Sequence, residues 1–308
     1  MPFAVKDFFI RNRIKAFLFL IRELGFSQRE AQRYIARGRL FVGGEAMRDP
    51  AGEIEGEVQC VVFEPVSRGL KPIFETAEFA LYDKPSGVLV HPQNRRTPYS
   101  MVDEIRFRFG PDANIVHRID QETSGLLLAA TNKKAERRLK MMFENRDVTK
   151  GYLAFVRGKM TGESWIEAPL LRREDDSAVV RMVVRVHSEG KPSRTFVRAL
   201  EYYPSLDVTL VEAWPHTGRQ HQIRVHLFHV KHPIVGDPIY AQSEAQVLRF
   251  LDREISPKER VDCTGSNRLL LHAATLRFKF DGIDYFLKSR CDFVKEGLDR
   301  LVTVSRET

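Results

Sequence analysis

Three cysteines in 308 residues, Cys60, Cys263 and Cys291, stand far apart, and neither a paired framework nor a metal-ligand spacing can be built from them. Reduced thiols in a reducing compartment are the plain expectation. Long apolar runs are missing as well. The run near the start, Phe17 to Ile21, stops at Arg22 and Glu23, far short of the roughly 20 residues a membrane span requires. No cleavable leader precedes it, so a cytoplasmic protein with no membrane partner is expected. Internal repeats and low-complexity tracts are absent. His221, His226, His229 and His232 raise the question of a metal, but no HExxH spacing accompanies them. His226 and His229 could share a helix face, but His221 would point away from both, so neither metal nor cofactor is expected.

What the chain does have is positive charge. Lysine and arginine number 49 against 41 acidic residues, a formal charge of +8. Basic surfaces gain from phosphate through counterion release, although the same excess could simply aid solubility. Hydrophobic residues at 43% and charged residues at 29% describe an ordinary globular chain, expected as a monomer, with room for one large domain and a small one.

Near the start, Ile14, Phe17, Leu18, Ile21 and Leu24 recur at helical spacing and Gly25 stops the helix. Ser27 and Glu30 make a capping box that opens a second helix, ending at Gly38, with Ala31 and Ile35 on its apolar side. Arg29, Arg33 and Arg37 recur every fourth residue and stack on one face of it. A charge stripe is commonly a solvated face; three arginines without acidic residues at the same spacing favour phosphate contact. Leu40–Val42 and Val58–Phe63 read as strands, with a turn at Gly43-Gly44 between them.

Residues 65–77, with Pro65, Gly69 and Pro72, read as a linker between units at 1–64 and 78–308. In the second unit, strands are expected at Phe79–Tyr82, Val88–Val90, Ser124–Thr131, Tyr152–Val156, Thr195–Leu200, Val208–Ala213 and Ala274–Phe280. A helix carries Ala135, Leu139, Met142 and Phe143 inward. Strand follows strand without a crossover helix, so the expected fold is α+β, a mixed and largely antiparallel sheet with flanking helices.

Four segments are dense in unusual residues: YDKPSGVLVHP at 82–92, HRIDQETSGLLLAATN at 117–132, GRQHQIRVHLFHVKHPIVGDPIY at 218–240 and RLLLHAATLRF at 268–278. Asp120 precedes a glycine and a buried strand, a position where a carboxylate is held rigidly with one side open. Capping its own loop through the Thr123 or Ser124 amides is the commoner role for such a residue. If 221–230 is a helix, Ile223, Leu227 and Val230 share one face, and His221, Arg224 and Phe228 the other. A cation beside an aromatic ring on a non-core face suits nucleic acid, and Arg224 could pair with a buried carboxylate.

Two resemblances follow from these segments. GFSQREAQRYIARGRLFVGG at 25–44 resembles the alpha-L RNA-binding module, which has the likeness of a small-subunit ribosomal protein, with Val42-Gly43-Gly44 departing mildly at the turn. It implies RNA without naming a reaction. The four later segments together resemble the RluA family of RNA pseudouridine synthases, with Ile119 standing in place of a leucine. That resemblance implies isomerisation of uridine in RNA after the base is flipped out, with Asp120 as the catalytic aspartate. It further implies Arg118 entering the RNA, Tyr152 packing on the uracil, Arg224 pairing with Asp120, His221 in support and Leu271 as an apolar wall. Large-subunit ribosomal RNA is the expected substrate and transfer RNA the alternative. A non-catalytic RNA-binding or assembly factor would have lost Asp120, Arg118 or Tyr152, and all three remain. An aminoacyl-tRNA synthetase would carry adenylate-binding segments that this chain lacks.

Overall fold

The computed structural model describes residues 2–172 and 184–307, the last six by their backbone alone. The first unit runs β1 (Phe3–Lys15), α1 (Ala16–Leu24), α2 (Gln28–Ala36), β2 (Leu40–Val42), β3 (Glu45–Met47) and β4 (Glu53–Phe63). Its strands form one antiparallel sheet in the order β1-β4-β2-β3. Ala16, Leu20, Ala31 and Ile35 of the two helices are fully buried with Leu40, Val58 and Cys60 beneath them. The Ser27–Glu30 capping box is present, and Gly25 closes α1 at φ 66°.

Ile14 departs from expectation. It lies next to the last residue of β1, a 13-residue strand that the helical spacing of Ile14 with Phe17 conceals. Phe8, Ile10 and Ile14 turn inward at even spacing, as one half-buried face of a strand does, and the register shifts between Ile10 and Ile14.

The second unit follows with β5 (Phe74–Glu75), β6 (Phe79–Lys84), α3 (Met101–Phe109), β7 (Asn114–Ile115), β8 (Ser124–Ala130), α4 (Lys133–Asn145), β9 (Thr149–Arg157) and β10 (Glu163–Glu167). Next come β11 (Leu170–Arg172), β12 (Val184–Val186), β13 (Arg194–Tyr203), β14 (Val208–Pro215), α5 (Gln222–His229), α6 (Glu244–Leu251) and α7 (Pro257–Thr264). The chain ends with β15 (Leu271–Phe280), β16 (Ile283–Lys288) and α8 (Phe293–Glu307). Among the described residues these build a ten-stranded sheet in the order β10-β13-β14-β9-β15-β8-β6-β5, with β16 beside β15 and β7 beside β8. Every pairing in it is antiparallel except β15 with β8. The fold is thus the expected α+β class.

Two local expectations fail in this unit. Val88–Val90 forms no strand; the carbonyls of Leu89 and Val90 instead accept from the Met101 and Val102 amides at the start of α3. Such caps satisfy helix amides that have no partner within the helix. Residues 65–77 are not a free tether. Leu70 and Ile73 pack on the large core, Ser67 and Arg68 bond Glu104, and β5 pairs with β6.

Candidate active site

The parallel pair β8–β15 decides where the chemistry-bearing loops meet. Ser124 and Gly125 lie opposite His272 and Ala273, and Ala273 faces Tyr152 of β9 on its other side. Gly125, at φ 103°, lies so close to Ala273 that a β-carbon there would collide with the Ala273 backbone. Only glycine fits, which gives the TSG triplet its physical reason. The loop before β8 therefore ends over the middle of the sheet, beside Tyr152 and Leu271.

Asp120 sits in that loop, and Lys84 pins the loop from below. Fully buried, Lys84 donates from Nζ to the carbonyls of Pro85, Val88 and Gln121 at 2.8–2.9 Å. Ser86 Oγ donates to the Glu122 carbonyl, and Gly87 N to that of Gln121. Burial pushes the Lys84 ammonium down to about 7, against the pull of Glu122 and Asp120. Its three donors meet three acceptors. The turn at 84–87 is thus a buttress for the loop that carries Asp120.

The Asp120 side chain does not cap its own loop; Thr123 N bonds the Asp120 carbonyl instead. Asp120 Oδ2 accepts from Arg224 Nη1 at 3.3 Å and lies 3.8 Å from His221 Nε2. Among the described residues Oδ1 accepts no protein hydrogen bond, and the carboxylate lines an open cleft with Arg118, Tyr152, His221, Arg224 and Leu271. All six residues expected at the site from the second resemblance therefore meet in one place. Arg29 and Arg33 lie elsewhere, exposed on α2, with Arg37 exposed at its C-terminal cap.

Arg224 does not lie on a solvent-facing side of α5. Gln222 to Leu227 are all buried, and Arg224 is 2% exposed. Its stronger partner is Asp237, met by a fork of two bonds, Nε to Oδ2 at 2.8 Å and Nη2 to Oδ1 at 2.7 Å. Asp237 Oδ1 also accepts from the Ile239 and Tyr240 amides. Burial alone would push both groups toward neutrality. For Arg224 the charges of Asp237 and Asp120 outweigh that effect and raise its pKa; for Asp237 the guanidinium outweighs it and lowers the carboxyl. Tyr240 completes the clamp, with its ring 5.1 Å from the guanidinium and its hydroxyl 3.0 Å from His221 Nδ1. His221, at φ 54°, is held neutral: burial, then Arg224, pushes its pKa down to about 4. Tyr152, its hydroxyl pushed up by burial and by Asp120, and Leu271 form the apolar walls.

Asp237, Tyr240 and Lys84 all fall within segments singled out by their composition. What no spacing shows is that Arg224 reaches Asp237 thirteen residues on, or that Lys84 reaches the loop at Gln121. Two other histidines of the third segment have structural partners: His226 bonds Thr195 and the Ala168 carbonyl, and His232 the Arg157 carbonyl.

A family model described as RNA pseudouridylate synthase matches residues 78–229. An uncharacterised RNA pseudouridine synthase of Helicobacter pylori is 36% identical over 94% of this chain and 96% of its own length. Ribosomal large subunit pseudouridine synthase C of Escherichia coli K12 is 33% identical over 96% of this chain and 90% of its own. Among solved structures, human RNA pseudouridylate synthase domain containing 1 superposes with a TM-score of 0.58 at 28% identity, covering 80% of this chain and 98% of that one.

Proposed function

This chain belongs to the RNA pseudouridylate synthase family, and on that basis we propose that it converts uridine in large-subunit ribosomal RNA to pseudouridine with Asp120 as the acting group. The observation that carries the assignment of Asp120 is its fixed carboxylate: one oxygen held by Arg224, the other turned to a cleft walled by Tyr152 and Leu271. Relatives named for the ribosomal large subunit, at 33–36% identity, support the choice of RNA.

A stacked uridine hides its glycosidic bond, so the base must leave the helix at a cost of roughly a few kcal/mol. The exposed Arg118 at the mouth fills the space the base vacates, and Tyr152 offers a ring for the extruded uracil to stack on. Asp120 acts on the nucleotide, the bond between ribose carbon 1′ and nitrogen 1 breaks, and the uracil turns in place. The ribose carbon rejoins at carbon 5, which releases its proton while nitrogen 1 gains one, so substrate and product are isomers. Arg224, clamped by Asp237, keeps the carboxylate aimed. The cost of ordering these groups is met by folding, before RNA arrives.

The first unit serves, in this reading, as an alpha-L-type RNA-binding module at residues 1–64, with Arg29, Arg33 and Arg37 as its phosphate-facing stripe. The exposure of all three supports that role.

Asp120→Asn keeps shape and hydrogen bonding and removes the charge. The purified variant is expected to bind a ribosomal RNA fragment as wild type does and to form no pseudouridine in it. Appreciable turnover by Asp120→Asn would remove the aspartate from the chemistry.

A further inference from the structure

The charges lining the cleft do not balance. Arg224 is matched by Asp237 and Asp120. Arg118, Lys150 and Arg219 line the same cleft, and among the described residues none of the three has a carboxylate partner. Arg118 is exposed and projects from the mouth. The other two are held in the wall, which is a costly place for unmatched cations.

Lys150 lies two residues before Tyr152 on β9, hence on the same side of the sheet, and faces the space that the uracil would enter. Its Nζ stands against Gly218, 3.8 Å from where a β-carbon would be. Burial pushes the pKa of this ammonium down, and a neighbouring cation, Arg146, pushes it further in the same direction. Arg219 follows Gly218 directly. Its Nε is buried with no hydrogen-bond partner, a rare state that calls for an explanation such as a missing ligand.

The loop that carries Arg219 is tied down by Gln222. Gln222 Oε1 accepts from Thr217 Oγ1 at 2.6 Å and from the Arg219 amide at 3.1 Å, while its Nε2 donates to Thr195 and to the Arg194 carbonyl. Two donor-only cations are thus set in place on one rim, with Asp120 deeper in the cleft. When Asp120 reaches the sugar of a flipped nucleotide, the phosphates on either side of that sugar must lie outward of it, toward this rim.

We propose that Lys150 and Arg219 form a phosphate subsite that grips the RNA backbone next to the nucleotide whose base enters the cleft. The inference rests on the reading of Asp120 given above and adds to it how the extruded nucleotide is held. A neutral base edge would need one donor of either kind. Two cations side by side suit a phosphodiester, whose contacts position the RNA without reading its sequence.

The test uses a short RNA hairpin carrying the target uridine, with the phosphate on its 5′ or its 3′ side replaced by a neutral methylphosphonate. Wild type is expected to lose about 10-fold or more in kcat/KM on one of the two, as befits a lost charge-assisted contact. Lys150→Met should lose a similar factor on unmodified RNA and little more on that methylphosphonate, with KM raised and the single-turnover rate at saturating RNA nearly unchanged. Lys150→Arg should recover most of the loss. In equilibrium binding, Lys150→Met should also lower the slope of log Kd against log salt by about 0.7–0.9, one phosphate contact.

Tolerance of both methylphosphonates by wild type would overturn the subsite with no variant involved. So would losses from Lys150→Met and methylphosphonate that simply multiply, or an unaltered salt slope. The binding measurement needs no turnover. Absence of pseudouridine in the wild-type reaction would therefore count against the proposed activity, while the subsite would still stand or fall on the slope.

Discussion

Arg224 shows why one residue cannot be assessed by its charge alone. Its guanidinium serves two carboxylates, and the one it holds by two bonds, Asp237, is 1% exposed. Removing the arginine therefore does more than free Asp120; it strands a buried anion. Breaking a buried pair from one side costs about 3–5 kcal/mol. Arg224→Met is expected to lose about that much in urea unfolding and to lose turnover as well. Adding Asp237→Asn removes the stranded charge and should restore part of the stability, but none of the turnover, because Asp120 still lacks its anchor. A double-mutant cycle of unfolding free energies separates the two effects. If both single variants and the double are equally stable, the clamp carries no energy.

At the scale of elements, the contact between the two units is built from arginines set against phenylalanines. Arg95 lies over Phe41 at 5.7 Å and Arg106 over Phe63 at 5.3 Å, and Arg95 Nη2 donates to the Gly38 carbonyl just past the end of α2. The segment between the units belongs with the second: Arg68 lies over Tyr99, Ile73 N bonds the Leu81 carbonyl, and β5 continues the large sheet. We propose a working boundary at residues 64 and 65. A chain beginning at residue 65 is expected to melt cooperatively and to keep Asp120-dependent isomerisation at high enzyme concentration. Its RNA binding should be weaker, with a salt slope flatter by up to about 2–3 units for the loss of three arginine contacts. A chain beginning at residue 78 lacks Leu70, Ile73 and β5 and should melt lower. Equal melting temperatures for the two would show the segment to be only a tether, and an unchanged salt slope would make the arginine stripe a solvated surface.

The molecule as a whole carries several histidines that folding keeps neutral. Burial lowers His221 and His272 to about 4 and His117 to about 3, from an ordinary value of 6.5. His272 bonds Ser124 Oγ and stacks on Phe293 of α8; His117 accepts from the Leu128 amide and stacks on Phe143. Below about 6.5 the unfolded chain takes up protons that the folded chain refuses, so unfolding free energy rises with pH through this window and is lost on acidification. Carboxylates with lowered pKa act below about 4.5, which leaves pH 5 to 6.5 to the histidines. The melting temperature is expected to fall by several degrees from pH 7 to pH 5, and His272→Gln should flatten that fall. A melting temperature constant over this range would mean that these rings stay accessible to protons.

Periodicity and capping chemistry are local, so residues a few positions apart were enough to reveal them. That is why α2 with its Ser27–Glu30 box, Gly25 as a helix stop and the buried strand after Gly125 were legible in the sequence. The α+β class followed from strands succeeding one another without crossover helices, and the six cleft residues followed from motif resemblance. Strand β1 was concealed because Ile14 fits a helical and an alternating period equally well, and only pairing with β4 decides between them. The burial of Arg224 was illegible because exposure depends on what packs against α5, which no spacing within the helix encodes. Its bond to Asp237, the support of the Asp120 loop by Lys84, and the convergence of Lys150 and Arg219 on one rim join residues separated by as many as 69 positions in sequence. Tertiary structure alone brings such groups together, since the parallel pairing of β8 with β15 sets where each loop ends.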